Sequence, residues 1–220
     1  MMLDEHTKIA LEAFIDTADR ARPLIICDAD EVLLQFFVTL EKYLEQQGFY
    51  VRLDSFALNG NIRSIDADTV ASPETIGGLM QQFFKTAIHT SPTVDGAAPA
   101  LKRLSQSAEI CVLTNLPGAQ ADARQKSLCD AGICYPVICN SGHKGFAVKA
   151  LRDAWTRPIS FIDDLPPNHD SVAKAAPDVH RIHYVADMRL SKLIDKPASA
   201  HARLHNWSQI EQHLMAWLAQ

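Results

Sequence analysis

The amino-acid sequence predicts an α/β protein: a doubly wound parallel sheet with an inserted α-helical segment. Three observations lead there. Apolar runs of strand length recur along the chain, and two of them end in carboxylates. Strand-like runs alternate with segments of helical periodicity, the pattern of parallel strands joined by right-handed crossovers. A stretch with wide helical stripes, residues 33–93, interrupts that alternation directly after the first strand.

The elements follow in order. Residues 1–22 interleave Ile9, Leu11, Phe14 and Ile15 with charged residues, predicting an amphipathic helix. A buried strand at 23–29 comes next. The segment 32–47 carries Leu33, Leu34, Phe36, Phe37, Leu40, Tyr43 and Leu44 at helical spacing, with Gly48 as its stop. Residues 50–70 are turn-rich, with Asn59-Gly60-Asn61 as a turn. Ser72 caps a helix that has Pro73 in its first turn and ends before Pro92. From Asp95 the chain reads helix 97–105, strand 109–113, helix 118–131, strand 135–139, helix 144–155 and strand 158–162. Helix 166–176, strand 179–185 and helices 187–194 and 208–219 follow, with a surface loop at 196–202. Residues 1–32 and 94–220 are thus expected to form the sheet unit, and 33–93 the insertion.

At 220 residues, 47% hydrophobic and 21% charged, the composition is that of a soluble globular protein. The net charge of −5 and the lack of a basic run argue against nucleic acid. No apolar stretch is long enough to span a membrane, and the N-terminus has no signal-peptide core. Cys27 and Cys111 fall in strands, where a thiol acts as a small hydrophobe. Cys129, Cys134 and Cys139 lack metal-site spacing, so reduced thiols in a cytoplasmic protein are expected.

Polar groups gather where strands end. Asp28 and Asp30, spaced i, i+2, point to one side of the chain beyond the first strand. Two like charges there need a cation or a proton between them. Thr114, with Asn115, follows strand 109–113; Lys144 opens a helix; Asp163 and Asp164 end strand 158–162. In an open parallel sheet these ends meet in one crevice. Asp28, Asp30 and Asp163 make an oxygen-only cluster suited to Mg²⁺. Thr114 and neighbouring N–H groups could cradle a phosphate, and Lys144 could stabilise a transferring phosphoryl group. One carboxylate is then available to attack phosphorus and the other to move a proton. Lys144 is preferred to Lys149, which lies more than a turn inside its helix. Phe36 and Phe37 are expected to pack within the insertion rather than touch substrate. Arg63, in the turn-rich middle, could bind a substrate carboxylate or second phosphate through its planar fork; the other reading is a solvated surface arginine. His180 and His183 are expected to face opposite sides of their strand.

These four motifs, in this order over residues 23–170, resemble the signature of the haloacid dehalogenase (HAD) superfamily. The resemblance implies a Rossmann-like core with a helical cap and a phosphatase acting on a small phosphorylated metabolite. Asp28 would be the nucleophile that forms an aspartyl-phosphate. Asp30 would be the general acid/base, with its backbone carbonyl on Mg²⁺. Thr114 and Lys144 would hold the phosphoryl group. Apart from the resemblance, Asn115 and Arg63 are the candidate substrate contacts. Asp163 would ligate the metal, with Asp164 a second acidic position. Family members that cleave carbon–halogen bonds usually lack the second aspartate, so Asp30 points to phosphoryl transfer. A phosphomutase or phosphotransferase and a non-catalytic binding protein are the alternatives. The sequence names no substrate and sets no oligomeric state.

Overall fold

In a computed structural model describing residues 3–219, the chain opens with α1 (Glu5–Thr17) and β1 (Leu24–Cys27). The first two residues of the predicted N-terminal helix lie outside the described ones. The insertion follows: α2 (Phe36–Gln46), β2 (Phe49–Val51), β3 (Ile62–Ser64) and α3 (Pro73–Thr86). Next come α4 (Ala97–Leu104), β4 (Glu109–Thr114), α5 (Ala121–Asp130), β5 (Val137–Cys139), α6 (Gly145–Ala154) and β6 (Ile159–Asp163). The chain ends with α7 (Pro166–Ala175), β7 (His180–His183), α8 (Met188–Ser191), β8 (Ala202–Arg203) and α9 (Trp207–Leu218).

The predicted parallel sheet is present, in the order β5-β4-β1-β6-β7-β8, with every neighbouring pair parallel. The central strands are buried throughout, as expected for a sheet covered on both faces. Alternate residues supply two cores. Ile25, Cys27, Ile110 and Val112 pack with Leu101 and Leu104 of α4 and Ile210 and Leu214 of α9. Leu24, Ile26, Cys111 and Leu113 pack on the opposite face with Leu11 of α1, Val148 of α6 and Val172 of α7.

Strand register determines which polar residues meet. Cys27 is paired with both Val112 and Ile162. The next residue on β1, Asp28, is therefore level with Asp163, and Thr114 extends one position further on β4. Asp163 in turn pairs with His183 of β7.

Four local expectations differ from the structure. The helix expected from Val32 begins at Phe36. Before it, the Ala29 carbonyl accepts from the N–H groups of Leu33 (2.8 Å) and Leu34 (2.9 Å), and the chain coils into a turn. Val32, Leu33 and Leu34 are buried in the first core rather than on a helix face, and Trp207 Nε1 donates to the Val32 carbonyl at 3.0 Å. The insertion is not wholly helical, because β2 and β3 pair antiparallel around the Asn59–Asn61 turn. The loop expected at 196–202 ends in β8, a two-residue edge strand too short for any periodicity.

The fourth difference concerns the cysteines. Cys129 and Cys134 form a disulfide. Gly132, with φ of +79°, turns the chain back after α5 in a left-handed conformation that suits glycine. This brings the two Cα atoms within 4.1 Å. The expectation of five reduced thiols is thereby corrected: Cys27, Cys111 and Cys139 are free and buried. Because disulfides are rare in reducing compartments, the cysteines no longer argue for the cytoplasm. No helix among the described residues is long and apolar enough to cross a membrane.

Candidate active site

Asp28 follows β1, and its backbone N–H still donates to the Ile162 carbonyl of β6 at 2.9 Å. Its Oδ1 accepts from the Ala29 N–H (2.7 Å) and lies 2.6 Å from Lys144 Nζ. Oδ2 accepts no hydrogen bond from the described residues. Lys144 precedes α6 and is fully buried. Its ammonium also donates to Asp163 Oδ2 at 2.7 Å, so it is the bridge between β1 and β6. Burial alone would push Lys144 down, but Asp163 and Asp28 outweigh it and hold the ammonium above its ordinary range.

Close helix packing puts Lys144 there. A Cβ on Gly145 would stand 2.4 Å from the Ser171 carbonyl oxygen of α7, so only glycine permits the approach. The Gly145 N–H donates to Ser171 Oγ at 3.1 Å and completes the junction. Lys149, the rival lysine, is exposed and paired with Asp153.

Asp163 and Asp164 differ in their surroundings although they are adjacent. Asp163 Oδ1 accepts from the Leu165 N–H and from Asn168 Nδ2, both at 2.9 Å, while Oδ2 is held by Lys144. The Asp164 carboxylate is buried and accepts no hydrogen bond among the described residues. Burial first, then the charges of Asp163 and Asp28, raise its pKa well above the carboxylate range. Asp28 is pushed up to about 7, chiefly by burial, which Lys144 opposes and Asp163 and Asp30 reinforce. One ligand oxygen each of Asp28, Asp163 and Asp164 can be chosen so that all lie within 4.8 Å of one another. Three buried carboxylates facing one ammonium form an oxygen-donor set short of positive charge. The residues present therefore fit a hard divalent cation such as Mg²⁺.

Two buried histidines steady the carboxylate strand. His183 Nε2 donates to the Asp164 carbonyl and His169 Nε2 to the Asp163 carbonyl, each at 2.9 Å. Burial lowers the pKa of His183 to about 4, so it stays neutral in the fold while the unfolded chain protonates near 6.5. Its contribution to stability is present above pH 6.5 and is lost as pH falls through about 4. His183→Gln, which keeps a side-chain N–H but does not titrate, is expected to move the acid-unfolding midpoint to lower pH. Circular dichroism across pH 3–7 checks this, and an unchanged midpoint would refute it.

At the end of β4, Thr114 is fully buried and its Oγ1 has no hydrogen-bond partner. A buried hydroxyl without a partner costs roughly 1–3 kcal/mol, so this one is available to a ligand. Asn115 lines the same cavity, but its amide is occupied. It donates to the Gly142 carbonyl (2.9 Å) and accepts from Asn140 Nδ2 (2.8 Å), fixing the loop before Lys144.

Asp30 stands apart from the three clustered carboxylates. Its Oδ1 lies 2.9 Å from Nη2 of Arg124 on α5, a fully buried arginine whose Nε and Nη1 find no partner. No backbone hydrogen bond of the loop ends on the Asp30 carbonyl. Sequence reasoning missed Arg124 because α5 is polar along most of its length, and nothing local marks one arginine as buried. Glu31 was also missed as a fastener. It takes a left-handed conformation (φ 58°), and its carboxylate accepts from the N–H groups of Phe37 at 2.7 Å and Asp187 at 2.8 Å. Glu31 thus ties the start of α2 to the loop after β7; burial raises its pKa to about 7.

A cavity of about 270 Å³ lies between the strand ends and the insertion. Asp28, Asp30, Thr114, Asn115, Lys144 and Asp164 all line it. Phe36 and Phe37 pack within the insertion as expected, Phe36 against Phe83 and Phe84, and both line the cavity as well. Both sit where α2 begins, directly over the strand ends. Arg63 does not line it. That residue pairs with Asp68 at 2.7 Å inside the insertion, where the β2–β3 hairpin turns its guanidinium onto its own chain. The expected substrate contact by Arg63 is corrected accordingly.

No family model matches the sequence, and no curated protein matches it. Solved structures do. YfnB of Bacillus subtilis, provisionally assigned as a HAD-hydrolase and bound to magnesium, is similar with a TM-score of 0.59 at 14% identity, covering 88% of this chain and 99% of YfnB. The chain has the haloacid dehalogenase fold. Other proteins of the haloacid dehalogenase fold differ in chemistry. One from Haemophilus somnus, predicted to be a phosphoglycolate phosphatase, aligns with a TM-score of 0.55 at 14% identity over 87% of this chain and 97% of its own. The 2-haloacid dehalogenase of Pseudomonas syringae aligns at 0.51 and 18% identity over 89% and 99%. At these identities the likeness concerns the fold, and the chemistry has to be argued from the site.

Proposed function

We propose that the protein is a HAD-type hydrolase, a Mg²⁺-dependent phosphatase acting on a small phosphorylated metabolite. The observation that supports it most is the buried acidic set beside the partnerless Thr114 hydroxyl, with Lys144 between Asp28 and Asp163. Asp28, Asp164, Asp163 and the Asp30 carbonyl would hold Mg²⁺. Of these, Asp164 would bring a carboxylate with no other partner among the described residues, whereas the oxygens of Asp163 are already engaged by Lys144 and Asn168. The ion would supply positive charge for the phosphoryl oxygens.

The chain's own groups account for the remaining steps. Thr114 Oγ1 and Lys144 orient the phosphoryl group. Asp28 Oδ2 attacks phosphorus, the bond to the leaving oxygen breaks, and Asp30 delivers the proton to that oxygen. Asp30 then takes a proton from water as the water oxygen attacks phosphorus, releasing phosphate and restoring Asp28. The insertion, as a cap, shields the reaction from bulk water. Asp30, placed two residues after the nucleophile, favours this chemistry over dehalogenation. Hydrolysis of a generic phosphomonoester with Mg²⁺, lost on chelation, is the expected result; absence of turnover across a broad phosphate panel would sink the proposal.

A second measurement addresses the ion alone. Below about pH 7 the native site keeps protons that Mg²⁺ must displace. The rise in Tm on adding Mg²⁺ should therefore be larger at pH 8 than at pH 6. At a hundredfold excess over Kd it amounts to roughly 5–10 °C for a chain of this size. Asp164→Asn should remove most of that rise, as differential scanning fluorimetry would show.

A further inference from the structure

The cavity divides sharply in character. Its floor holds the carboxylates, Thr114 and Lys144, whereas its outer wall is built mainly from Phe36, Val51, Leu53, Phe56, Leu58 and Phe84 of the insertion, with Ser55 as its one hydroxyl. Among the described residues lining it, Lys144 is the one cation, and its nitrogen is already shared by Asp28 and Asp163. Four acids, Asp28, Asp30, Glu31 and Asp164, line the same space. Arg63, the insertion's candidate for a second anion, is turned away onto Asp68.

From this division we infer that the substrate is the phosphomonoester of an apolar alcohol or phenol, with no second phosphate or carboxylate. The inference rests on the phosphatase reading and adds the identity of the leaving group. A second anion on the substrate would lie among aromatic and aliphatic side chains, with no donor of positive charge to replace its lost hydration. Several sugar hydroxyls would meet the same wall with only the Ser55 hydroxyl among its side chains to bond. An aryl ring or short alkyl chain instead removes apolar surface from water on both sides. The phosphoryl end is recognised by the floor, and selectivity comes from the walls of α2, α3 and the segment between β2 and β3.

Binding and turnover separate the two levels of the argument. Calorimetry of the Mg²⁺-loaded protein should find phenylphosphonate binding about ten- to a hundredfold more tightly than methylphosphonate, the range for burying one aromatic side chain. Phosphonoacetate, which carries a second anion, should bind no better than methylphosphonate. Phe56→Ala should weaken phenylphosphonate and leave methylphosphonate unchanged, while Leu58→Arg should improve phosphonoacetate. In turnover, kcat/KM for linear alkyl phosphates should rise about fourfold per methylene until the cavity is full. Equal affinity for the two simple phosphonates, or a flat alkyl series with good turnover, overturns the leaving-group assignment and leaves the phosphatase reading standing. Phosphonate discrimination with no hydrolysis of any ester would keep the apolar wall and overturn the phosphatase. Tighter binding of phosphonoacetate would overturn the exclusion of a second anion.

Discussion

Asp28→Asn is expected to lower phosphomonoester turnover by at least about 10⁴-fold, since removing a covalent nucleophile leaves only binding and electrostatic contributions. The asparagine retains the shape of the side chain and an oxygen for the Ala29 N–H. Lys144 keeps its 2.7 Å partner in Asp163. The variant should therefore fold. The sign of its effect on stability follows from the pKa. Asp28 holds its proton up to about pH 7 in the native state, whereas an ordinary aspartate releases it near 3.8. Between those values the unfolded chain binds fewer protons than the native one, so the metal-free wild type loses stability as pH rises through the window. Asparagine does not titrate and should flatten that fall. Steady-state assays with Mg²⁺, paired with thermal melts at pH 5 and pH 8 without it, check both halves. Retained turnover would remove Asp28 from the mechanism.

The second large effect concerns Arg124 and Asp30, whose two single substitutions should behave differently. Arg124 is fully buried with two nitrogens unpartnered, while the Asp30 side chain is 20% exposed at the cavity. Asp30→Asn leaves a buried guanidinium without its counter-charge, a change that costs about 3–5 kcal/mol in fully buried pairs. Arg124→Met removes the unsatisfied nitrogens together with the charge, and exchanging a buried ion-pair partner for packing volume here should cost far less. Both should nevertheless slow turnover: Asp30→Asn by about 10²–10⁴-fold as loss of a general acid/base, and Arg124→Met by a smaller factor because Asp30 loses the group that positions it. Arg124 thus acts through Asp30, and Arg124→Lys should recover part of the rate. Urea unfolding alongside kcat and its pH profile separates the two roles. Should Arg124→Met unfold the protein yet leave the kcat of the folded fraction intact, the arginine is structural only.

The legible part of the site consists of residues at the ends of apolar runs. Asp28, Thr114, Asp163 and Asp164 each follow a buried strand, and Lys144 opens a helix. A parallel sheet turns such positions into neighbours whatever lies between them. The register that puts Asp28 level with Asp163 is set by the parallel pairing of Cys27 with Ile162. Arg124 and Glu31 carry no comparable local mark. One sits in a mostly polar helix, and the other adopts a left-handed backbone that is usual for glycine. Arg63 shows the opposite failure: a residue chemically suited to bind an anion, but turned by its hairpin onto Asp68. The Cys129–Cys134 bridge depends on the Gly132 turn, a feature of the chain's path rather than of cysteine spacing.

By itself the sequence determined the parallel sheet and the carboxylates that converge at the strand ends, because hydrophobic periodicity and strand termini are local properties. Only the tertiary structure decided which groups partner one another. Lys144 joins Asp28 to Asp163, Arg124 takes Asp30, Asp164 is left free for a cation, and apolar side chains wall the cavity. Those pairings join residues as much as 116 positions apart, Asp28 and Lys144, and such partners are selected by packing and desolvation across the fold.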